Sequence, residues 1–121
     1  MDFEWYYPNS KLLQVSICAS GITFYNETVE VMGSPKYVLL GYNEENKILG
    51  VKAYENAEDN CIDFSIKKKN SYIRINDKKF IRFMESHLGD AVSFKGKQKR
   101  YPAKWDAENS TLYIYLEQTL S

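Results

Sequence analysis

Histidine occurs once in this chain of 121 residues, and cysteine twice. His87, Cys18 and Cys61 show no ligand spacing, so the sequence offers no metal site and implies no cofactor. Neither cysteine has a local neighbour that would activate it, which argues against a Cys–His nucleophile. The acidic pairs Glu44–Glu45 and Asp106/Glu108 fall in turn-forming segments, and turn chemistry accounts for them better than acid–base work does. A Gly-rich phosphate loop is also missing. The expectation is a protein that is not an enzyme and has no small-molecule substrate. No apolar run is long enough to span a bilayer, and the start, Met1-Asp2-Phe3-Glu4-Trp5, lacks the basic and apolar regions of a signal peptide. A cytoplasmic location without a membrane partner is therefore expected, with both cysteines as free thiols and Cys18 buried in its apolar run. Proline is scarce, at three, while tyrosine reaches ten, a balance that leans toward sheet.

What the chain does contain is an internal repeat. Ile22-Thr23-Phe24-Tyr25-Asn26 … Val29 … Met32 recurs as Ile73-Arg74-Ile75-Asn76-Asp77 … Phe80 … Phe83. Tyr42-Asn43-Glu44-Glu45-Asn46 … Leu49-Gly50-Val51 recurs as Trp105-Asp106-Ala107-Glu108-Asn109 … Leu112-Tyr113-Ile114. The second copy holds about twelve extra residues between its blocks.

Each copy reads β-β-α-β-β. In the first, strands over 13–18 and 22–25 flank the turn Ala19-Ser20-Gly21. Asn26 then caps a short helix whose apolar face is Val29 and Met32, ended by Gly33. Strands over 37–42 and 47–54 close the unit, and 55–60 is a polar linker. In the second, strands over 61–66 and 72–75 flank the turn Lys67 to Ser71. Asp77 caps a helix with Phe80, Met84 and Leu88 on one face, widened by Ile81 and Phe83, and Gly89 closes it. Residues 90–100 form a polar loop before strands over 101–105 and 111–116. The expected fold is mainly β with two short helices (α+β), a single domain of two tandem units, 13–54 and 61–117, preceded by an N-terminal aromatic arm, 1–12. Neither unit can hide its apolar faces alone, so the two would share one core about a pseudo-twofold axis.

This order, with Gly21-Ile22-Thr23-Phe24 leading into a short helix that ends in Met32-Gly33, resembles the AbrB-like swapped-hairpin superfamily. The resemblance implies two units that interleave their hairpins into one barrel. It also implies transcription regulation through double-stranded DNA, with basic residues around the first hairpin and helix start. The family's Ile-Pro helix entrance is Phe24-Tyr25 in one copy and Ile75-Asn76 in the other. No Lys or Arg occurs from Gln14 to Pro35.

Charge is divided accordingly. Residues 1–60 hold four Lys/Arg against nine Asp/Glu, and residues 61–121 hold twelve against seven. The candidate DNA contacts are Lys67, Lys68, Lys69, Arg74, Lys78, Lys79 and Arg82, extended by Lys97, Lys99 and Arg100 of the loop. Arg74 alternates with Ile73 and Ile75, so it should project outward toward a base edge while the lysine turn grips phosphate. Two functions remain open at this point. One is a DNA-binding regulator, and the other is a protein-interaction module of the same fold whose partner is another protein or a second copy.

Overall fold

The computed structural model describes residues 13–64, 68–69, 72–88, 94 and 98–117. The predicted arm over 1–12, Gly89, Lys67 and Lys97 lie outside those residues. The elements run β1 (Leu13–Cys18), β2 (Gly21–Tyr25), α1 (Asn26–Val31), β3 (Tyr37–Asn43), β4 (Ile48–Tyr54), β5 (Ile62–Asp63), β6 (Lys68–Lys69), β7 (Tyr72–Ile75), α2 (Lys78–Leu88), β8 (Lys99–Asp106) and β9 (Thr111–Tyr115). The protein is thus mainly β with two helices. Neither helix is long and apolar enough to cross a membrane.

All strands join one antiparallel sheet in the order β5-β3-β4-β9-β8-β1-β2-β7-β6. That order has a geometric consequence. Nine strands laid flat would hold their edges about 38 Å apart. Yet the edges, β5 and β6, are separated in the chain only by the steps from Asp63 to Lys68, at most about 18 Å when fully extended. The sheet must therefore curl, and it forms an open half-barrel. Inward-facing residues of the longer strands are buried, among them Val15, Ile17, Phe24, Leu49, Val51 and Leu112. Phe64 and Phe94 fill the interior, with Phe64 edge-on to Phe24 at 5.1 Å between centroids.

The two closing hairpins are built alike. Asn43 Oδ1 accepts the N–H of Asn46 at 2.9 Å, and Asp106 Oδ1 accepts that of Asn109 at 3.2 Å. The side-chain and backbone N–H groups of Asn109 hold the Asp106 carboxyl below its ordinary pKa. Each turn ends on a left-handed residue, Lys47 (φ 56°) and Ser110 (φ 50°). Their carbonyls accept reciprocal bonds across the sheet, from Leu116 N–H to Lys47 O at 3.0 Å and from Ala53 N–H to Ser110 O at 2.8 Å. Gly50 stands opposite Tyr113, and Thr23 opposite Arg74. Residues matched by the sequence repeat thus face each other across two ladders.

The helices follow ordinary end chemistry with one departure. Gly33 (φ 83°) terminates α1, where Ser34 N–H reaches Val29 O and Gly33 N–H reaches Glu30 O. Asp77 Oδ1 accepts Phe80 N–H at 3.0 Å, the expected cap of α2. Asn26 is not a cap. Pairing with Tyr72 keeps Tyr25 extended up to the helix start, so Tyr25 takes the cap position without a side-chain bond. Asn26 instead donates from Nδ2 to Glu30 Oε1.

Four further expectations need correction. Among the described residues of the strand expected over 61–66, only Ile62–Asp63 are strand, paired with Val38 and Tyr37 of β3. Lys68 and Lys69 lie in a strand rather than a turn, paired with Ile73 and Tyr72. Lys99 and Arg100 belong to β8 rather than a loop, because Ile17 and Ser16 of β1 pair with them. Phe83 does not widen the buried face of α2. Ile81 and Met84 face the core, while Phe83 is 46% exposed and packs edge-on to Tyr42 and against His87.

Candidate functional site

One end of the sheet gathers cationic side chains. Cys18 pairs with Gly21, Ile17 with Lys99, and Ile22 with Ile75. The Ala19–Ser20 turn, the start of β8 and the junction from β7 into α2 therefore share that end. Arg74 lies on the outer face of β7, as alternation predicts, but its guanidinium turns back onto the protein. Nε donates to Asn76 Oδ1 at 2.9 Å and Nη1 to Thr23 Oγ1 at 2.8 Å. Nη2 donates to Ser20 Oγ at 2.6 Å and to Cys18 Sγ at 3.3 Å. The fork geometry of arginine makes it a clamp between β7 and the β1–β2 turn.

This clamp changes the chemistry of Cys18. Burial pushes the thiol pKa up. The hydroxyl of Ser20, 3.2 Å away, and the Arg74 guanidinium overcome that and bring it from 9.0 down to about 7. No local spacing signals this contact, since Arg74 lies far along the chain and only the β2–β7 register brings it across. The expectation of an inactive, buried Cys18 is corrected on both counts: the residue is half-buried and its thiolate is stabilised. Because the folded pKa lies below the ordinary one, ionisation favours the folded state. That contribution is complete above pH 9 and is lost as the pH falls through about 7. Alkylation of Cys18, followed on its own peptide by mass spectrometry because Cys61 is also free, should show a midpoint near pH 7. Arg74→Ala should move that midpoint up toward 9.0. A midpoint that stays in place would separate Arg74 from the thiol.

The remaining predicted cations divide into groups. Lys78, Lys79 and Arg82 are exposed on the first turns of α2. That helix has no acidic residue in its first turn, whereas α1 carries Glu27 there. The Asp77 carboxylate at the N-cap meets the positive end of the α2 dipole. Lys78 and Arg82, one turn apart, line a groove of about 420 Å³ with Ala19, Ser20 and Glu85. Glu85 Oε2 is occupied by the N–H of Phe94 at 3.1 Å. Arg100 lies apart from this groove, on the other side of β1, where Nη1 donates to Gln14 Oε1 at 3.4 Å. Lys99 is exposed at the start of β8. For Lys68 and Lys69 the structure gives backbone pairing only.

Among the described residues no three His, Cys, Asp or Glu side chains converge as a metal set would require. Two other surface grooves are present. One of about 290 Å³ crosses the outer face of β3, β4 and β9, floored by Gly41 opposite Gly50 and walled by Leu39 and Tyr113. The other, of about 300 Å³, holds Arg100 with Gln14, Tyr25, Glu27 and Thr28. No protein-family model, curated protein or solved structure matches the chain.

Proposed function

We propose that this chain is a small cytoplasmic DNA-binding transcriptional regulator of AbrB-like type. It is built from two tandem β-β-α-β-β units, 13–54 and 61–117, whose hairpins interleave about a pseudo-twofold axis. The tandem part draws support from the reciprocal bonds at Lys47 and Ser110 and from the pairing of Thr23 with Arg74 and Gly50 with Tyr113. A twofold axis through those two pairs would exchange the units.

The observation that carries the DNA reading is the start of α2. Lys78, Lys79 and Arg82 stand exposed together on the first turns of α2, where their like charges repel, beside an open groove. A duplex phosphate placed there would relieve that repulsion and release counterions. Arg74 serves this surface as a positioning residue that fixes the Ala19–Ser20 turn, rather than as a reader of bases. Neutralising Lys78, Lys79 and Arg82 to Gln should flatten the slope of log K against log salt by about 2.7 for B-form DNA. Fluorescence anisotropy on mixed-sequence duplex over a salt series measures this, and a slope the triple variant leaves unchanged would sink the reading.

A protein-interaction module of the same fold is the second reading. The groove over Gly41 and Gly50 favours it, because two facing glycines expose an apolar strip on a sheet face where side chains would otherwise stand. Absence of duplex binding even at low salt would make this the leading reading.

A further inference from the structure

Gly41 and Gly50 stand opposite each other in the β3–β4 ladder, and nothing among the described residues requires glycine at either place. Neither has a positive φ, unlike Gly33. The ladder runs from Tyr37–Tyr54 to Asn43–Ile48 in unbroken register, so no bulge calls for them. A methyl group on Gly41 would meet nothing within 4 Å, and one on Gly50 would make only ordinary contacts at 3.9 Å. Glycine inside a strand weakens it, and what it offers in return is close approach by another group. The pair floors the groove of about 290 Å³, with Leu39, Ile48 and Tyr113 beside it.

We propose that this groove is the docking site of the chain's own N-terminal arm, with the aromatic block Phe3-Glu4-Trp5-Tyr6-Tyr7 laid across Gly41 and Gly50. Three observations select that occupant. The first is direction. Leu13 pairs with Ala103, and Gln14 with Pro102, so the N-terminal end of β1 points to the row of Lys104. That row continues through Tyr113 and Gly50 to Gly41, which is the line of the groove. The second is length. From β1 to β4 is three strand spacings, about 14 Å. Trp5 precedes Leu13 by eight residues, a reach of up to about 26 Å. The third is charge. Asp2 and Glu4 flank Phe3 in the arm. Lys52 lines the groove and Lys104 extends its row, and both are exposed. Asp106, farther along β8, is already engaged by Asn109 and by the N–H of Glu108. Aromatic rings on a glycine floor bury a large apolar area without displacing any side chain. The proposal shares its groove with the protein-interaction reading but needs no outside partner.

Trp5 reports on docking. The other tryptophan is Trp105, half-buried against the core, and phenylalanine can replace it there. In Trp105→Phe, acrylamide quenching of Trp5 should be about twofold weaker than that of N-acetyltryptophanamide, because one face of the ring is covered. The shielding should not depend on protein concentration. Gly41→Gln stands a side chain in the groove and should raise quenching to the free value while the circular-dichroism spectrum stays that of the folded chain. Lys52→Glu/Lys104→Glu should weaken the shielding, and adding Asp2→Lys/Glu4→Lys to the same chain should restore it. A merely destabilised protein would not show that rescue, so the charge exchange decides the matter even where Gly41→Gln fails to fold.

Trp5 as accessible as the free compound overturns the proposal and leaves the groove open to an outside partner, so the protein-interaction reading would survive it. Shielding that persists in folded Gly41→Gln, or a charge reversal that the exchange does not rescue, puts the arm elsewhere and overturns it too. Shielding that grows with protein concentration assigns the groove to the arm of a second copy and overturns docking within one chain.

Discussion

Replacing Phe64 with alanine is expected to lower the unfolding free energy by about 3–5 kcal/mol. The side chain is fully buried, and its ring meets Phe24 edge-on. Removing it deletes one of the largest buried surfaces and leaves a void that a close-packed interior fills only in part. Position adds to the effect. Phe64 follows directly on β5, and its N–H bonds Lys36 O at 2.8 Å, extending the β3–β5 ladder. The ring therefore anchors the point where the chain leaves one edge of the sheet to reach the other. A domain of this size has about 5–15 kcal/mol in all, so the variant should sit near the limit of folding. Phe64→Leu, which keeps most of the volume, should recover the greater part. Urea and thermal unfolding measure both. A loss under about 1 kcal/mol for Phe64→Ala would show that the ring is not part of the core.

Gly21→Ala should be the second costly change, by about 2–4 kcal/mol, with Tm lower by roughly 10 °C. A methyl group there would lie within 2.2 Å of Ile75 O, 3.1 Å of Ile75 C and 3.2 Å of Asn76 Cα. All three are backbone atoms with no rotamer to yield, so β2 and β7 must separate. Because Asn76 accepts from Arg74 Nε, the displacement also loosens the clamp on Cys18, and the alkylation midpoint should rise along with the loss of stability. Gly41→Ala is the control. Its added methyl meets nothing within 4 Å, so it should be neutral or stabilising by about 0.4–1 kcal/mol through the unfolded state. Equal losses at Gly21 and Gly41 would rule out the steric account.

The strands were legible wherever alternation was clean. Val15 and Ile17, Ile73 and Ile75, and Leu112 and Ile114 all mark inward faces, as the period of two predicts. Asp77 announced its helix because a carboxylate cap needs only local chemistry. Errors fell where a distant partner decides. Lys99 and Arg100 read as loop until β1 is placed beside them, and Phe83 reads as core until the packing of α2 turns it toward Tyr42. The candidate site was legible in part. Lys78 and Arg82 are one helical turn apart and were recognisable as a pair. The thiol–guanidinium contact was not, because no spacing rule links Cys18 to Arg74. It exists only through the β2–β7 register and the turn at Ser20. A reactive cysteine of this kind can be read from sequence only after strand pairing is known.

The strand order also sets the tempo of assembly. β1 precedes the other described strands, yet one of its two neighbours is β8, with Leu13 opposite Ala103. β4 likewise waits for β9, with Ile48 opposite Tyr115. Such high contact order places folding in the millisecond-to-second range rather than the microsecond range of helical bundles. During synthesis the β1–β2 and β3–β4 hairpins can each form on the ribosome, but each carries an unpaired edge until the C-terminal strands arrive. The nascent first half is then the aggregation-prone species. The acidic excess of residues 1–60 gives that waiting intermediate a net charge that keeps neighbouring nascent chains apart.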